Sequence, residues 1–288
     1  MQGIVERLES IKFIHLMFSP TIIWESLPLL FKGFQVSVFI LLVSYVAAIP
    51  IGLCAAFMKM AKSRIARAPA TFYIDVIRGT PLLVQILIVY FGFPLLIPGW
   101  REFATSPLGS VDFLGISLHQ YLRAFVALSF NSGAYMAEIF RAGIQSIHKG
   151  QLEAARSLGM TTPQAMAYVI IPQTFRRILP TMTSEFILLF KDTALLFAVG
   201  FFELTLQART IQARLYNMSP YIGAALFYLA LTLPLGRVVA MLEAKLAVAE
   251  TGHAPETREK RGWFSRRGGS QADASGTGEG AAPPGRGA

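Results

Sequence analysis

Five stretches of this chain, residues 34–58, 80–97, 118–139, 181–202 and 221–242, are apolar over lengths suited to crossing a hydrocarbon core of ~30 Å, which takes about 20 helical residues. That property constrains the fold more than any other. A backbone inside lipid has no water to bond to, so apolar segments of this length are expected as helices. Composition agrees: 53% of the 288 residues are hydrophobic and 15% are charged, whereas soluble domains carry roughly a quarter charged residues. A soluble enzyme is excluded on that balance. A disulfide scaffold is excluded as well, because Cys54 is the single cysteine and lies within an apolar run. The second stretch is short and holds Gly92 and Pro94. The fourth contains Glu185, Lys191 and Asp192, so hydropathy by itself scores it poorly.

The net charge of +9 bears on orientation before it bears on any nucleic acid. Lys59, Lys62, Arg64 and Arg67 lie between the first two stretches; Arg141, Lys149, Arg156, Arg176 and Arg177 lie between the third and fourth; Lys245, Arg258, Lys260, Arg261, Arg266 and Arg267 follow the fifth. The alternate segments are poorer in cations, so the positive-inside rule places the N-terminus outside and the C-terminus in the cytoplasm, with no nucleic-acid partner implied. Residues 1–29 lack a secretory pattern, because Glu6, Arg7, Glu9 and Lys12 interrupt the apolar residues. Ile4, Leu8, Ile11, His15 and Phe18 recur there at helical spacing, readable as a short interfacial helix or as a frayed end. The domain reading is therefore an extracytoplasmic segment 1–29, a membrane domain 30–246, and a Gly-, Ser- and Pro-rich cytoplasmic tail 247–288 expected to be disordered. In that tail Trp263 and Phe264 amid basic residues could touch the inner leaflet, though a solvated tail is the favoured reading.

The segment 140–180, between the third and fourth stretches, has locally consistent turn chemistry. Leu152 to Leu158 predicts a two-turn helix with Glu153 near its positive end, and Gly159 is a natural stop. Thr162 then offers an N-cap and Pro163 a first-turn residue for a second helix that ends at or near Pro172. Ala154 and Ala155 are small enough for another protein to approach the backbone, while Leu152 and Leu158 leave apolar contacts facing water.

Glu153-Ala154-Ala155, three residues, Gly159, then Val169, Ile171 and Pro172 resemble the EAA loop of bacterial ABC importer permeases. Val169 and Ile171 depart from the usual residues only by apolar exchanges. Residues 73–85 (Tyr-Ile-Asp-Val-Ile-Arg-Gly-Thr-Pro-Leu-Leu-Val-Gln), Tyr135 to Ile144, and Phe190-Lys191-Asp192-Thr193 are similar to permeases for polar amino acids, the histidine, glutamine, arginine and glutamate class. Ala194 replaces a usual Ser. The resemblance implies an all-α polytopic fold with a five-span type I permease core, in a bacterial inner membrane. It also implies that Leu152, Glu153, Ala154, Ala155, Leu158 and Gly159 couple to an ATP-binding subunit. Expected partners are two such ABC ATP-binding subunits, an extracytoplasmic solute-binding protein delivering a polar amino acid, and a second permease subunit, identical or similar. ATP is then the partner's cofactor, with none on this chain, and the chain itself is not an enzyme.

Charge at mid-bilayer costs at least ~2.5–3.5 kcal/mol on insertion scales, so ionisable residues in the apolar stretches should face protein or water. Glu138, Glu185, Lys191 and Asp192 are candidates for a substrate pathway, with structural pairing as the other reading, favoured for Lys191. Glu138 and Arg141, three apart, are placed to pair. Thr80 and Pro81 read as N-cap and first residue of the second span. Arg78 then sits at the headgroup level, where the role of interfacial anchor is sufficient and substrate contact the alternative. No phosphate-binding Gly-rich loop, no catalytic constellation and no metal-ligand spacing among His15, His119, His148 and His253 is present in the sequence. Asn217-Met218-Ser219 matches a glycosylation acceptor but is too short a pattern to weigh. A secondary transporter driven by an ion gradient is the alternative function.

Overall fold

A computed structural model describes residues 17–251, with side chains as far as Leu246. The N-terminal periodicity of residues 4–15 and the tail beyond Thr251, Trp263 and Phe264 included, lie outside the described residues.

The first apolar stretch is part of a longer helix, α1 (Pro20–Met60), which runs unbroken through Pro28 and Pro50. At 41 residues it extends about 60 Å, twice the hydrocarbon thickness. Its beginning is tied to the far end of the chain, where the backbone N–H of Ser19 donates to Ser219 Oγ at 2.7 Å.

The second predicted span is different in the structure. Residues 59–79 are not a plain loop: α2 (Arg64–Gly79) is an amphipathic helix that turns Ala70 and Ile74 inward and leaves Ile65 and Phe72 exposed. It meets α3 (Leu82–Leu96) at a bend of 109°. The 15 residues of α3 cover only about 22 Å, so α3 alone is short for a bilayer. Thr80 does not cap α3. Its hydroxyl donates to the Val76 carbonyl and closes α2 (2.8 Å), and Pro81 takes the N-cap position. Gln85 holds the corner, its Nε2 donating to the carbonyls of Ile77 (2.7 Å) and Thr80 (3.1 Å), while its Oε1 accepts from Asn131 Nδ2 at 2.9 Å.

A short helix α4 (Trp100–Thr105) and a two-strand hairpin follow, β1 (Asp112–Phe113) against β2 (Ile116–Ser117). Leu114 and Gly115 form its turn with φ of 57° and 86°, the left-handed pair that tight hairpins need. The third span is α5 (Leu118–Ser146), capped where Ser117 N–H donates to Gln120 Oε1 at 3.3 Å. It lies along α1, and glycines allow the approach: a Cβ on Gly52 would stand 2.4 Å from Met136 Cβ, and one on Gly133 2.6 Å from Ile51 Cγ2. Small residues at such crossings let backbones pack closely where lipid supplies no hydrophobic drive.

The connector is shorter than the predicted 140–180, because α5 continues to Ser146 and the next span starts at Ile171. It contains α6 (Lys149–Ser157), α7 (Thr162–Ala165) and a π turn at Met166–Ile170. Pro172 does not end a helix; it sits in the first turn of α8 (Ile171–Asp192). Its ring would clash with a carbonyl four residues back, and the wider π turn, closed by Ile171 N–H to the Met166 carbonyl, makes room for it. The fourth predicted span likewise is not one helix to residue 202. After Asp192 it tightens into a 3₁₀ segment, Thr193–Val199, and Gly200 stops it at φ 75°.

Residues 203–220, expected as a loop, contain α9 (Leu204–Leu215), capped by the buried Glu203, whose carboxylate accepts from the N–H groups of Thr205 (2.7 Å) and Leu206 (2.8 Å). The last span is α10 (Ser219–Thr251). Val36, Ile40 and Leu41 of α1, Ile86 of α3, Leu128 of α5 and Leu189 and Phe190 of α8 form the principal core. Among the described helices α1 and α10 are long and apolar enough to cross a membrane alone, and the bent α2–α3 pair meets the same test together. The helices α5 and α8 are more polar: α5 carries Arg123, Asn131 and Glu138, α8 carries Arg176, Arg177, Glu185, Lys191 and Asp192, and Ser129, Asn131, Ser132, Thr174 and Glu185 are buried.

Candidate functional site

The spans α5 and α8 diverge around a cavity of about 610 Å³. Tyr135, Glu138, Ala142 and Ser146 line it from α5, and Arg177, Thr181, Ser184, Glu185 and Leu188 from α8. Both sets step by three or four residues, one face of each helix. The third wall is Arg78, at the end of α2, its guanidinium carbon 5.3 Å from the Tyr135 ring centroid. The bend at Gly79 and Thr80 therefore places a cation beside the cavity rather than leaving it as an anchor at the start of a straight span.

Glu185 is 8% exposed, and its Oε1 accepts from Ser132 Oγ at 3.0 Å. Arg78, which stands within electrostatic range, carries the opposite charge. Thr181, Ser184 and Leu188 are exposed on the surface of the single chain. A membrane helix does not offer a threonine and a serine to lipid when it has apolar alternatives, so this open side is suited to water or to another subunit.

Glu138 also borders the cavity, but its carboxylate is occupied. Lys59 Nζ, from the end of α1, reaches its Oε1 at 2.7 Å; Arg141 reaches Oε2 with Nη2 at 2.6 Å and Nε at 2.9 Å. Asp75 of α2 stands 3.7 Å from Lys59, and Gln145 Oε1 accepts from Arg141 at 2.7 Å. The pairing with Arg141 was legible from the three-residue spacing. By sequence Lys59 counts only as a topology charge, and nothing local marks it as a partner 79 residues away. The structure does not bring Lys191 or Asp192 to the cavity. Lys191 is exposed and has no carboxylate within 4 Å among the described residues, and the half-buried Asp192 closes α8 where the 3₁₀ segment begins. Of the five pathway candidates, then, Arg78, Glu138 and Glu185 converge, and Tyr135 and Ser132 join them.

The second region is α6. His148 caps it, Nδ1 accepting from Gly150 N–H at 3.1 Å. Gly159, at φ +87°, stops it, with its own N–H on the Arg156 carbonyl and that of Met160 on the Ala155 carbonyl. Thr161, one residue before the expected Thr162, forms a reciprocal cap with Gln164. Ala155 is buried against the connector, Leu152 is half-buried, and Glu153, Ala154, Leu158 and Gly159 are exposed. Leu158 at 82% exposure is an apolar side chain held out by a rigid turn. The guanidinium of Arg177 donates to the Ser146 carbonyl, joining the root of this connector to the cavity wall.

Comparison with known proteins gives a consistent set of likenesses. Residues 48–248 match the family described as binding-protein-dependent transport system inner membrane component. The chain is 33% identical over 234 residues to the glutamine transport system permease protein GlnP of Escherichia coli (strain K12), covering 81% of this chain and 100% of that protein. It is 36% identical over 234 residues to the arginine transport system permease protein ArtQ of Bacillus subtilis (strain 168), covering 81% and 98%. A crystal structure of an amino acid ABC transporter with histidines superposes with a TM-score of 0.66 at 37% identity, over 80% of this chain and 100% of that one. The MetNI methionine ABC transporter in an inward-facing form gives 0.55 at 18% identity, over 78% and 99%, which speaks for the fold alone.

Proposed function

The chain belongs to the family of binding-protein-dependent transport system inner membrane components, as a permease subunit of an amino-acid ABC importer, and from that premise we propose how its cavity and connector divide the work. An ion-gradient-driven secondary transporter is ruled out by that membership. The ATP-binding partner follows from it too, and ATP chemistry belongs to that partner.

The cavity between α5 and α8 holds the amino acid in transit. Arg78 receives its carboxylate and Glu185 its ammonium, with Tyr135 as the wall between them; the observation carrying this reading is that one 610 Å³ space is bordered by both charges. Opposite charges at the two ends select a zwitterion and leave the side chain loosely specified, in keeping with relatives named for both glutamine and arginine. The open polar face of Thr181 and Ser184 is completed by a second permease subunit, identical or similar. An extracytoplasmic solute-binding protein loads the cavity from the side of the β1–β2 hairpin.

The connector is the transmission. Glu153, Ala154 and Leu158 present the contact surface, Leu152 and Ala155 seat α6 on the connector, and Gly159 sets its end. ATP-driven closure of the partner moves α6, and the Arg177 contact passes that motion to α8. Such a shift requires that the partner bind the two states unequally. The basic loops face the cytoplasm of the inner membrane, with the N-terminus outside.

The test is uptake into proteoliposomes containing the complex with its ATP-binding subunit and binding protein, across a panel of amino acids. Glu185→Gln keeps the Ser132 hydrogen bond and removes the charge. Each of Glu185→Gln and Arg78→Gln should cut uptake at least about tenfold, the value of one charge-assisted contact at ~1.5–3 kcal/mol, with assembly unchanged. Unaltered uptake in both variants would refute the cavity assignment.

A further inference from the structure

A second cavity, of about 500 Å³, lies on the other side of α5, between α1 and α2, and plays no part in the pathway just described. Ile51, Cys54, Met58, Ala70, Tyr73 and Phe130 line it. The phenolic group of Tyr73 is already committed to the Phe130 carbonyl at 2.6 Å, so the lining offers an occupant almost nothing but hydrocarbon. Its lining residues nearest the corner where α1 turns into α2 are Met58, two residues before the end of α1, and Pro69, five residues into α2. Lys62, Arg64 and Arg67 stand exposed at that corner, and none has a carboxylate within 4 Å among the described residues. Lys59, their neighbour, differs because Glu138 and Asp75 neutralise it. Ile65 and Phe72, seven apart on the outer face of α2, are 88% and 71% exposed, which fits a helix lying against lipid.

We infer that this crevice is a binding site for an anionic phospholipid, one acyl chain between α1, α2 and α5 and the phosphate on Lys62, Arg64 and Arg67. An apolar slot takes a chain, and three uncompensated cations at that corner take a negative headgroup in preference to a zwitterionic one, which brings its own cation. The site is a property of the α1–α2 corner and stands whether or not Arg78 and Glu185 bind substrate.

The test uses the complex with its ATP-binding subunit, equilibrated with palmitoyl-oleoyl phosphatidylglycerol or phosphatidylcholine and examined by native mass spectrometry. Retained phosphatidylglycerol should exceed phosphatidylcholine at least tenfold. Replacing Lys62, Arg64 and Arg67 together by Gln should abolish that preference, since each surface cation is worth roughly fivefold in affinity. Ala70→Phe, which fills the slot, should lose both lipids while leaving the cations in place. The unmodified chain gives a check free of folding effects: alkylation of Cys54 by a neutral maleimide should slow several-fold when phosphatidylglycerol is added to detergent-solubilised complex at fixed pH, and glycerol phosphate should not reproduce it. Equal retention of both lipids by the unmodified complex, or a Cys54 rate indifferent to phosphatidylglycerol, overturns the proposal. So does efficient Cys54-to-Cys54 cross-linking between protomers by a short bis-maleimide, which makes the crevice a contact between copies.

Discussion

Glu138 and Glu185 are both carboxylates on membrane helices, both border the same cavity, and their surroundings give them different work. Glu138 has cations on both oxygens, whereas Glu185 has only a serine hydroxyl and a cation across open space. The first is a joint between α1, α2 and α5; the second is free to meet a ligand. Glu138→Ala should therefore act through stability. It leaves Arg141 without a carboxylate and Lys59 with only Asp75 at 3.7 Å, in a half-buried setting, at a cost of about 1–3 kcal/mol, below the roughly 3–5 of a fully buried pair. Melting of the purified complex should shift down, with the KM for the amino acid unchanged; a raised KM at normal stability would instead put Glu138 in the pathway. Residue types and the three-residue spacing made the Arg141 pair readable. The Lys59 contact was not, because it depends on the crossing of two helices, which no local pattern encodes.

Among the elements, the connector was the most legible and the second span the least. Gly159, Pro163 and a threonine cap are local devices whose geometry holds whatever surrounds them; the structure moves the cap by one residue, begins α6 at Lys149, and makes Pro172 the start of α8 where a helix end was expected. The helix α2 is hidden in the sequence because the four cations around its start, Lys59 to Arg67, dominate that stretch. Yet Ala66, Ala70, Ile74 and Ile77 recur at helical spacing and were the available signal. The 3₁₀ end of α8 packs chiefly against α3, and the helix α9 against α1 and α10, contacts that no local pattern encodes. Two predictions belong at this scale. Gly52→Leu should prevent close passage of α1 over α5, since the added Cβ meets Met136 Cβ at 2.4 Å and backbone atoms at 2.9 Å; overpacking of this sort costs about 1–3 kcal/mol, measurable as loss of monodisperse protein on size exclusion. Gly159→Pro and Glu153→Lys should spare insertion and abolish substrate-stimulated ATP hydrolysis in the complex. The proline lacks the N–H that Gly159 donates to Arg156 and cannot adopt φ +87°. Full stimulation in both variants would separate α6 from coupling.

For the whole molecule, the charge distribution and the open polar face of α8 describe a part of a larger machine. Uptake by the reconstituted complex should stop without ATP and persist when ionophores collapse proton and sodium gradients, which a flux assay with and without each additive measures directly. The apolar excess by itself determined that the chain forms membrane helices, because lipid leaves a backbone no other partner than itself. The connector's sequence determined its own turn, because caps and stops act within a few residues. Only the tertiary structure decided which ionisable groups meet. Residues 78, 138 and 185 come from three helices, and Lys191 and Asp192, equally charged and closer in sequence to Glu185 than either of the others, end up outside the cavity. Hydropathy is a property of neighbours along the chain, while electrostatic interaction depends on distance through space, and the 109° corner at Thr80 is what brings Arg78 into range.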